Sequence, residues 1–191
     1  KRFNGQNRMS VAEKDLAKSH INDNFFFIRP DDESFTIDNI LEKAQQLVLR
    51  HGIKALIIDP YNRLDHHMDN GVSETNYISK LLDKITTFKQ KYGVHVFLVA
   101  HPVKIKKKKD SELFYIPNLY DISGSSNFFN KTDIGITIYR NFETGQTEVY
   151  VQKVRYKHWG RQGMVMFNWD EESGRYFEGS KDYSNWIVPQ G

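Results

Sequence analysis

Ala55-Leu56-Ile57-Ile58-Asp59-Pro60 sets four aliphatic residues directly before an acid and a proline. So short an apolar run, bounded by turn chemistry, predicts a strand buried on both faces. The acid at its carboxyl end predicts ligand chemistry there, because open α/β sheets bind ligands beyond the carboxyl ends of their strands. On the upstream side, Ile37, Ile40, Leu41, Ala44, Leu47 and Val48 recur at helical spacing from about Thr36, and Gly52 stands where a helix cap belongs. On the downstream side, Ile78, Leu81, Leu82, Ile85 and Phe88 form an apolar stripe over about Glu74 to Tyr92, which Gly93 ends. Val94 to Ala100 is the next apolar run, stopping at His101 and Pro102.

Farther upstream, Phe25-Phe26-Phe27-Ile28 predicts another short buried strand, halted by Pro30. Ser10 and Glu13 have capping-box spacing, which predicts a helix over about Val11 to His20. Apolar strands alternating with amphipathic helices imply a parallel sheet with helices on both faces. The second half changes period. Ile134, Ile136 and Ile138 alternate with smaller or polar residues, as do Val149 and Val151, then Met164, Met166 and Asn168. Glu143-Thr144-Gly145 and Gly160-Arg161-Gln162-Gly163 separate these runs, so antiparallel hairpins are expected to extend the parallel sheet. Residues 179–191 read as a polar tail.

Composition narrows the function classes. The 191 residues are 39% hydrophobic and 14% aromatic, enough for a core, and contain no cysteine. A disulfide framework and a thiolate metal site are therefore excluded, and a cytoplasmic setting is expected. Neither a secretory signal nor an apolar run long enough to span a membrane occurs. The net charge of +3 does not by itself imply nucleic acid, but Lys104, Lys106, Lys107, Lys108 and Lys109 fall within six residues.

Each candidate site residue has a plain reading and a functional one. Asp59 suits a Mg²⁺ ion held through water beside phosphates, and equally a loop cap. His101 is placed to hydrogen-bond a γ-phosphate or to be an ordinary strand-end residue. The lysine run fits DNA phosphates or a solvated loop. Lys153 and Arg155, two apart on a strand, share a face, where a neighbouring subunit's nucleotide phosphate or a surface ion pair would meet them. Arg155 is expected to be exposed and without a strong partner in its own chain. Asp65-His66-His67 is a weak metal signature, lying in a loop with no companion Asp-x-Asp.

Four motifs in order resemble one family. ALIIDPYNRL looks like the Walker B segment of RecA-like hexameric helicases of the DnaB and Twinkle type, and VHVFLVAHPVK is similar to their third motif. YDISGSSNFFNKTDIGITIYR resembles the fourth, and VYVQKVRYKHWGRQGMVMFNW their closing hairpin with its Lys-x-Arg pair. The resemblance implies a RecA-like three-layer sandwich over residues 1–178, ATP and Mg²⁺ as cofactors, a hexameric ring and single-stranded DNA. It implies that Asp59 acts on Mg²⁺, that His101 senses the γ-phosphate, and that Lys153 and Arg155 reach a neighbour's ATP. The loop after Pro102, with Ser125 and Asn127 of Gly124-Ser125-Ser126-Asn127, would face DNA. No phosphate-binding Gly-x-x-x-x-Gly-Lys-Ser/Thr occurs, and the chain does not begin with Met, so it reads as a piece of the motor that lacks its phosphate loop and general base. A recombinase or regulatory ATPase of the same fold, and a non-catalytic DNA-binding or interaction module, are the rival readings.

Overall fold

The computed structural model describes residues 9–29, 35–65, 73–103, 107, 114–122, 126–171 and 173–179. The chain divides into two compact units, Lys1–Ala100 and His101–Gly191.

The first unit opens with α1, Val11–Asn24. The capping box forms: Glu13 N donates to Ser10 Oγ at 3.2 Å, and Ser10 N donates to Glu13 Oε2 at 2.7 Å. No residue of α1 is buried. The strand expected at Phe25 to Ile28 is absent: this run joins no ladder, and Phe27 is 83% exposed. The backbone is extended at Phe25, with φ −123° and ψ 129°, but no described strand lies beside it. Local apolarity sets an extended conformation; only a neighbour makes it a strand.

Helices α2, Ile37–His51, and α3, Glu74–Tyr92, start at Thr36 and Ser73, whose hydroxyls accept amide hydrogen bonds. Gly52 (φ 65°) and Gly93 (φ 63°) close them in the left-handed conformation. Strands β1, Ala55–Ile58, and β2, His95–Leu98, pair in parallel with Ile58 opposite Leu98. The core gathers Ile37, Ile40 and Ala44 of α2, Leu56 and Ile58 of β1, and Ile78, Leu81, Leu82, Ile85 and Phe88 of α3. Lys84 Nζ meets Asp38 Oδ2 at 2.7 Å, linking the two helices at the surface. Burial on both sheet faces, as expected from the aliphatic runs, is not found. Ile57 is 64% and Phe97 47% exposed, and they lie side by side on the open face. An aliphatic run permits double burial but does not encode the element that would supply it.

In the second unit, α4, Asn127–Lys131, precedes an antiparallel sheet. Its order is β3-β4-β5-β6, from Ile134–Arg140, Thr147–Val154, Gly163–Asp170 and Arg175–Phe177. Both predicted hairpins form. In the first, Asn141 Oδ1 accepts from Glu143 N at 3.0 Å and Thr144 N at 3.1 Å, and Gly145 takes φ 72°. The expected extension of the parallel sheet is corrected: the four strands form a sheet of their own, separate from β1–β2. Consecutive hairpins satisfy each other's ladders without a parallel partner. The chain is thus mixed α/β, with a small parallel sheet and a four-stranded antiparallel one. The tail expected from 179 lies, beyond that residue, outside the described residues.

Candidate functional site

Asp59 follows β1 directly and is exposed. The backbone on both sides of it is tied to the end of β2: Val99 N donates to Ile58 O at 2.9 Å, and Tyr61 N donates to Val99 O at 2.7 Å. Tyr61 is buried at 3% exposure and anchors the turn; burial, then Tyr77 and Glu74, push its phenol up to about 12. Among the described residues, no hydrogen bond or ion pair engages the Asp59 carboxylate. No group of three or more metal-ligating side chains occurs among the described residues either. His101 lies three residues past Leu98 and is exposed. The parallel register aligns the end of β1 at Ile58 with the end of β2 at Leu98.

Asp65 has another task. Its Oδ2 accepts from Phe35 N at 2.7 Å, while its own N–H donates to Phe35 O at 2.9 Å and Tyr77 OH donates to its carbonyl at 3.2 Å. The carboxylate therefore pins the entry to α2, which accounts for it without a metal. His66 and His67 lie outside the described residues.

Of the lysine run only Lys107 is among the described residues, between two isolated antiparallel bridges. Pro102 bridges Ile122, Lys107 bridges Phe114, and Val103 N donates to Asp121 O at 2.8 Å. Lys107 Nζ stands 5.6 Å from the centre of the Phe114 ring. The segment from Phe114 to Pro117 is strapped to the sheet: Pro117 O accepts from Thr137 Oγ1 at 3.0 Å and Gln152 Nε2 at 2.7 Å, and Phe114 O from Tyr139 OH at 3.1 Å. Lys104, Lys106, Lys108, Lys109 and Ser125 lie outside the described residues; Asn127 opens α4.

Lys153 and Arg155 do share a side, and both reach the carboxyl end of α4. Lys153 Nζ donates to Phe129 O and, at 3.3 Å, to Asn130 O. Arg155 Nη2 donates to Asn130 O at 2.7 Å and Thr132 O at 3.4 Å. Cations at the last carbonyls of a helix complement its dipole and satisfy orphan acceptors. Burial, then the Arg155 charge, lower the Lys153 ammonium from its usual value, with Asp133 opposing. The expectation that Arg155 lacks a strong partner fails. Its Nε lies 2.8 Å from Asp133 Oδ1, at side-chain exposures of 36% and 24%. The spacing rule gives which face a side chain takes, but not what the chain before β3 puts there.

Two further groups escaped the sequence reading. Asp133 is one; an acid before a strand carries no motif. The other is Glu148, 9% exposed, whose carboxylate accepts from Asn141 Nδ2 at 2.9 Å and from the Tyr150 hydroxyl. That bond, ahead of burial, pushes the Tyr150 phenol up to about 12. An acid amid the alternating apolar residues of β4 was the available signal.

No family model matches the chain. Over 175 residues, 88% of the chain, it is 43% identical to the Twinkle homolog protein, chloroplastic/mitochondrial, of Arabidopsis thaliana. It spans 24% of that relative's length. A solved DnaB-like replicative helicase, described with its interactions with primase, shares the fold at a TM-score of 0.69. That likeness covers 91% of this chain and 42% of the other, at 20% identity. By these two matches the chain is a relative of the DnaB- and Twinkle-type replicative helicases.

Proposed function

We propose that this chain forms the later part of a helicase motor that couples ATP hydrolysis to movement along single-stranded DNA. The observation that carries the reading is the parallel β1–β2 pair, which ends in an uncommitted carboxylate at Asp59 in a chain so similar to a Twinkle homolog. Mg²⁺ and ATP supply the phosphoryl chemistry. Asp59 would hold the hydrated Mg²⁺, His101 would respond to the γ-phosphate, and Lys153 and Arg155 would meet the nucleotide of a neighbouring subunit in a hexameric ring. Lys104, Lys106, Lys107, Lys108, Lys109, Ser125 and Asn127 would face DNA. A three-layer RecA-like sandwich over residues 1–178 belongs to the same proposal. So does an organellar setting, after the relative's name, in place of the expected cytoplasmic one.

One observation favours a second reading. Lys153 and Arg155 already satisfy the carbonyls of α4 and pair with Asp133, so they suit a purely structural role. Strand displacement on a tailed duplex by the full-length protein tests the motor, and the same assay on Arg155→Ala tests the structural reading, which predicts unwinding in every variant that keeps its fold. ATP-dependent unwinding that Asp59→Ala abolishes supports the motor. Unwinding unaffected by Asp59→Ala refutes the role given to that residue, and no unwinding by the wild type refutes the motor.

A further inference from the structure

The guanidinium of Arg155 has five N–H donors in a rigid plane. Its own chain occupies one side of that plane. Nε takes Asp133 Oδ1 at 2.8 Å, and Nη2 takes Asn130 O at 2.7 Å and Thr132 O at 3.4 Å. The backbone reinforces the pairing, since Arg155 N donates to Asp133 O at 2.8 Å. Side chain and main chain of the same two residues thus bond in parallel. The two N–H groups of Nη1 make no bond to any described residue. The group is therefore neither free nor fully consumed: among the described residues it is clamped along one edge and unbonded at the opposite corner.

We infer that Asp133 is a positioning residue for Arg155, holding the guanidinium so that Nη1 is presented to an anionic phosphate oxygen of a neighbouring subunit's nucleotide. This rests on the reading that Arg155 acts in trans. An unclamped arginine samples many rotamers, and ordering it at the moment of reaction costs free energy. A carboxylate on Nε and carbonyls on Nη2 impose that order beforehand, as preorganised electrostatic stabilisation requires. The clamp also explains why Asp133 stands directly before β3: register pairs Ile134 with Val154, which brings Asp133 opposite Arg155. Lys153 shares the Asn130 carbonyl, so both cations are referenced to the same end of α4.

The test is ATP hydrolysis by the full-length protein carrying Asp133→Ala, Arg155→Ala and both changes. Asp133→Ala should lower kcat by about tenfold or more with KM for ATP little changed, the pattern of a lost transition-state interaction. In the double variant it should add nothing to Arg155→Ala, because its effect passes through that arginine. Asp133→Asn keeps an acceptor oxygen for Nε and should recover part of the rate, which makes it the informative variant if the Ala form does not assemble. A normal kcat in Asp133→Ala, or an Asp133→Asn as inactive as Arg155→Ala in rings that assemble, overturns the positioning role and leaves the trans-acting Arg155 intact. Multiplying losses in the double variant also overturn it. Normal hydrolysis by Arg155→Ala removes the reading beneath it.

Discussion

Gly135→Ala should loosen the site where residues 114–122 are fastened to the sheet. A Cβ at Gly135 would lie 2.6 Å from Leu119 Cδ1, 2.7 Å from Cδ2 and 3.2 Å from Cγ. Carbon atoms pack at about 3.5–4.0 Å, so Leu119 must retreat by about 1 Å. It is 7% exposed, and the neighbouring Asn118–Asp121 capping box, with Asn118 N donating to Asp121 Oδ2 at 2.8 Å, resists that movement. Overpacking of this kind costs about 1–3 kcal/mol. Reduced freedom of the unfolded chain returns about 0.4–1 kcal/mol, which leaves a net loss of about 1–2 kcal/mol. Hydrogen exchange over β3, β4 and residues 114–122 of the full-length protein reads this directly, as exchange faster by about 5- to 30-fold. Leu119→Ala should itself destabilise by about 2–4 kcal/mol, yet the double variant should lose less than the sum, because no clash remains. Unchanged protection in Gly135→Ala, or strict additivity in the double variant, would refute the close approach.

Replacing Lys106 to Lys109 with Ala in the full-length protein should weaken single-stranded DNA binding and flatten its salt dependence; an unchanged slope assigns these lysines to solvent. Asp65→Ala should cost about 1 kcal/mol by leaving Phe35 N unmet, while Asp65→Asn, which keeps an acceptor, should be tolerated; equal losses on thermal melting would point to a role for the charge. Tyr61 and Tyr150 should titrate late in a phenolate absorbance titration, near pH 12 rather than 10. Because folding raises both values, the stabilisation is complete below about pH 10 and vanishes as pH rises through 12. Tyr150→Phe should remove one late titration, and a single early wave in the wild type would contradict the Glu148 bond.

What the sequence made legible follows from how local each signal is. Ser10, Thr36, Gly52 and Gly93 mark helix ends because caps are settled within a few residues. The alternation in β3, β4 and β5 and their turn residues are equally local, and the hairpins follow. Phe25 to Ile28 misled because a strand needs a partner that its own residues do not specify. Ile57 and Phe97 misled for the same reason, one layer up. β6 was missed: its three residues, Arg175–Phe177, are too short for a period, and the turn at Gly174 (φ 66°) is its clearest mark. The place of Asp59 at the end of β1 and the shared side of Lys153 and Arg155 were readable from position alone. Asp133 was not, since its meeting with Arg155 depends on the register between β3 and β4.

The central claim is that Arg155 of one subunit serves the nucleotide whose Mg²⁺ is held by Asp59 of another. Mixing full-length Arg155→Ala with full-length Asp59→Ala tests it directly, with ATP hydrolysis measured across mixing ratios. Each variant alone should be inactive, while mixed rings should regain part of the wild-type rate, because an intact Arg155 then faces an intact Asp59 at some interfaces. Inactivity at every ratio, with mixed rings demonstrably formed, would contradict the account.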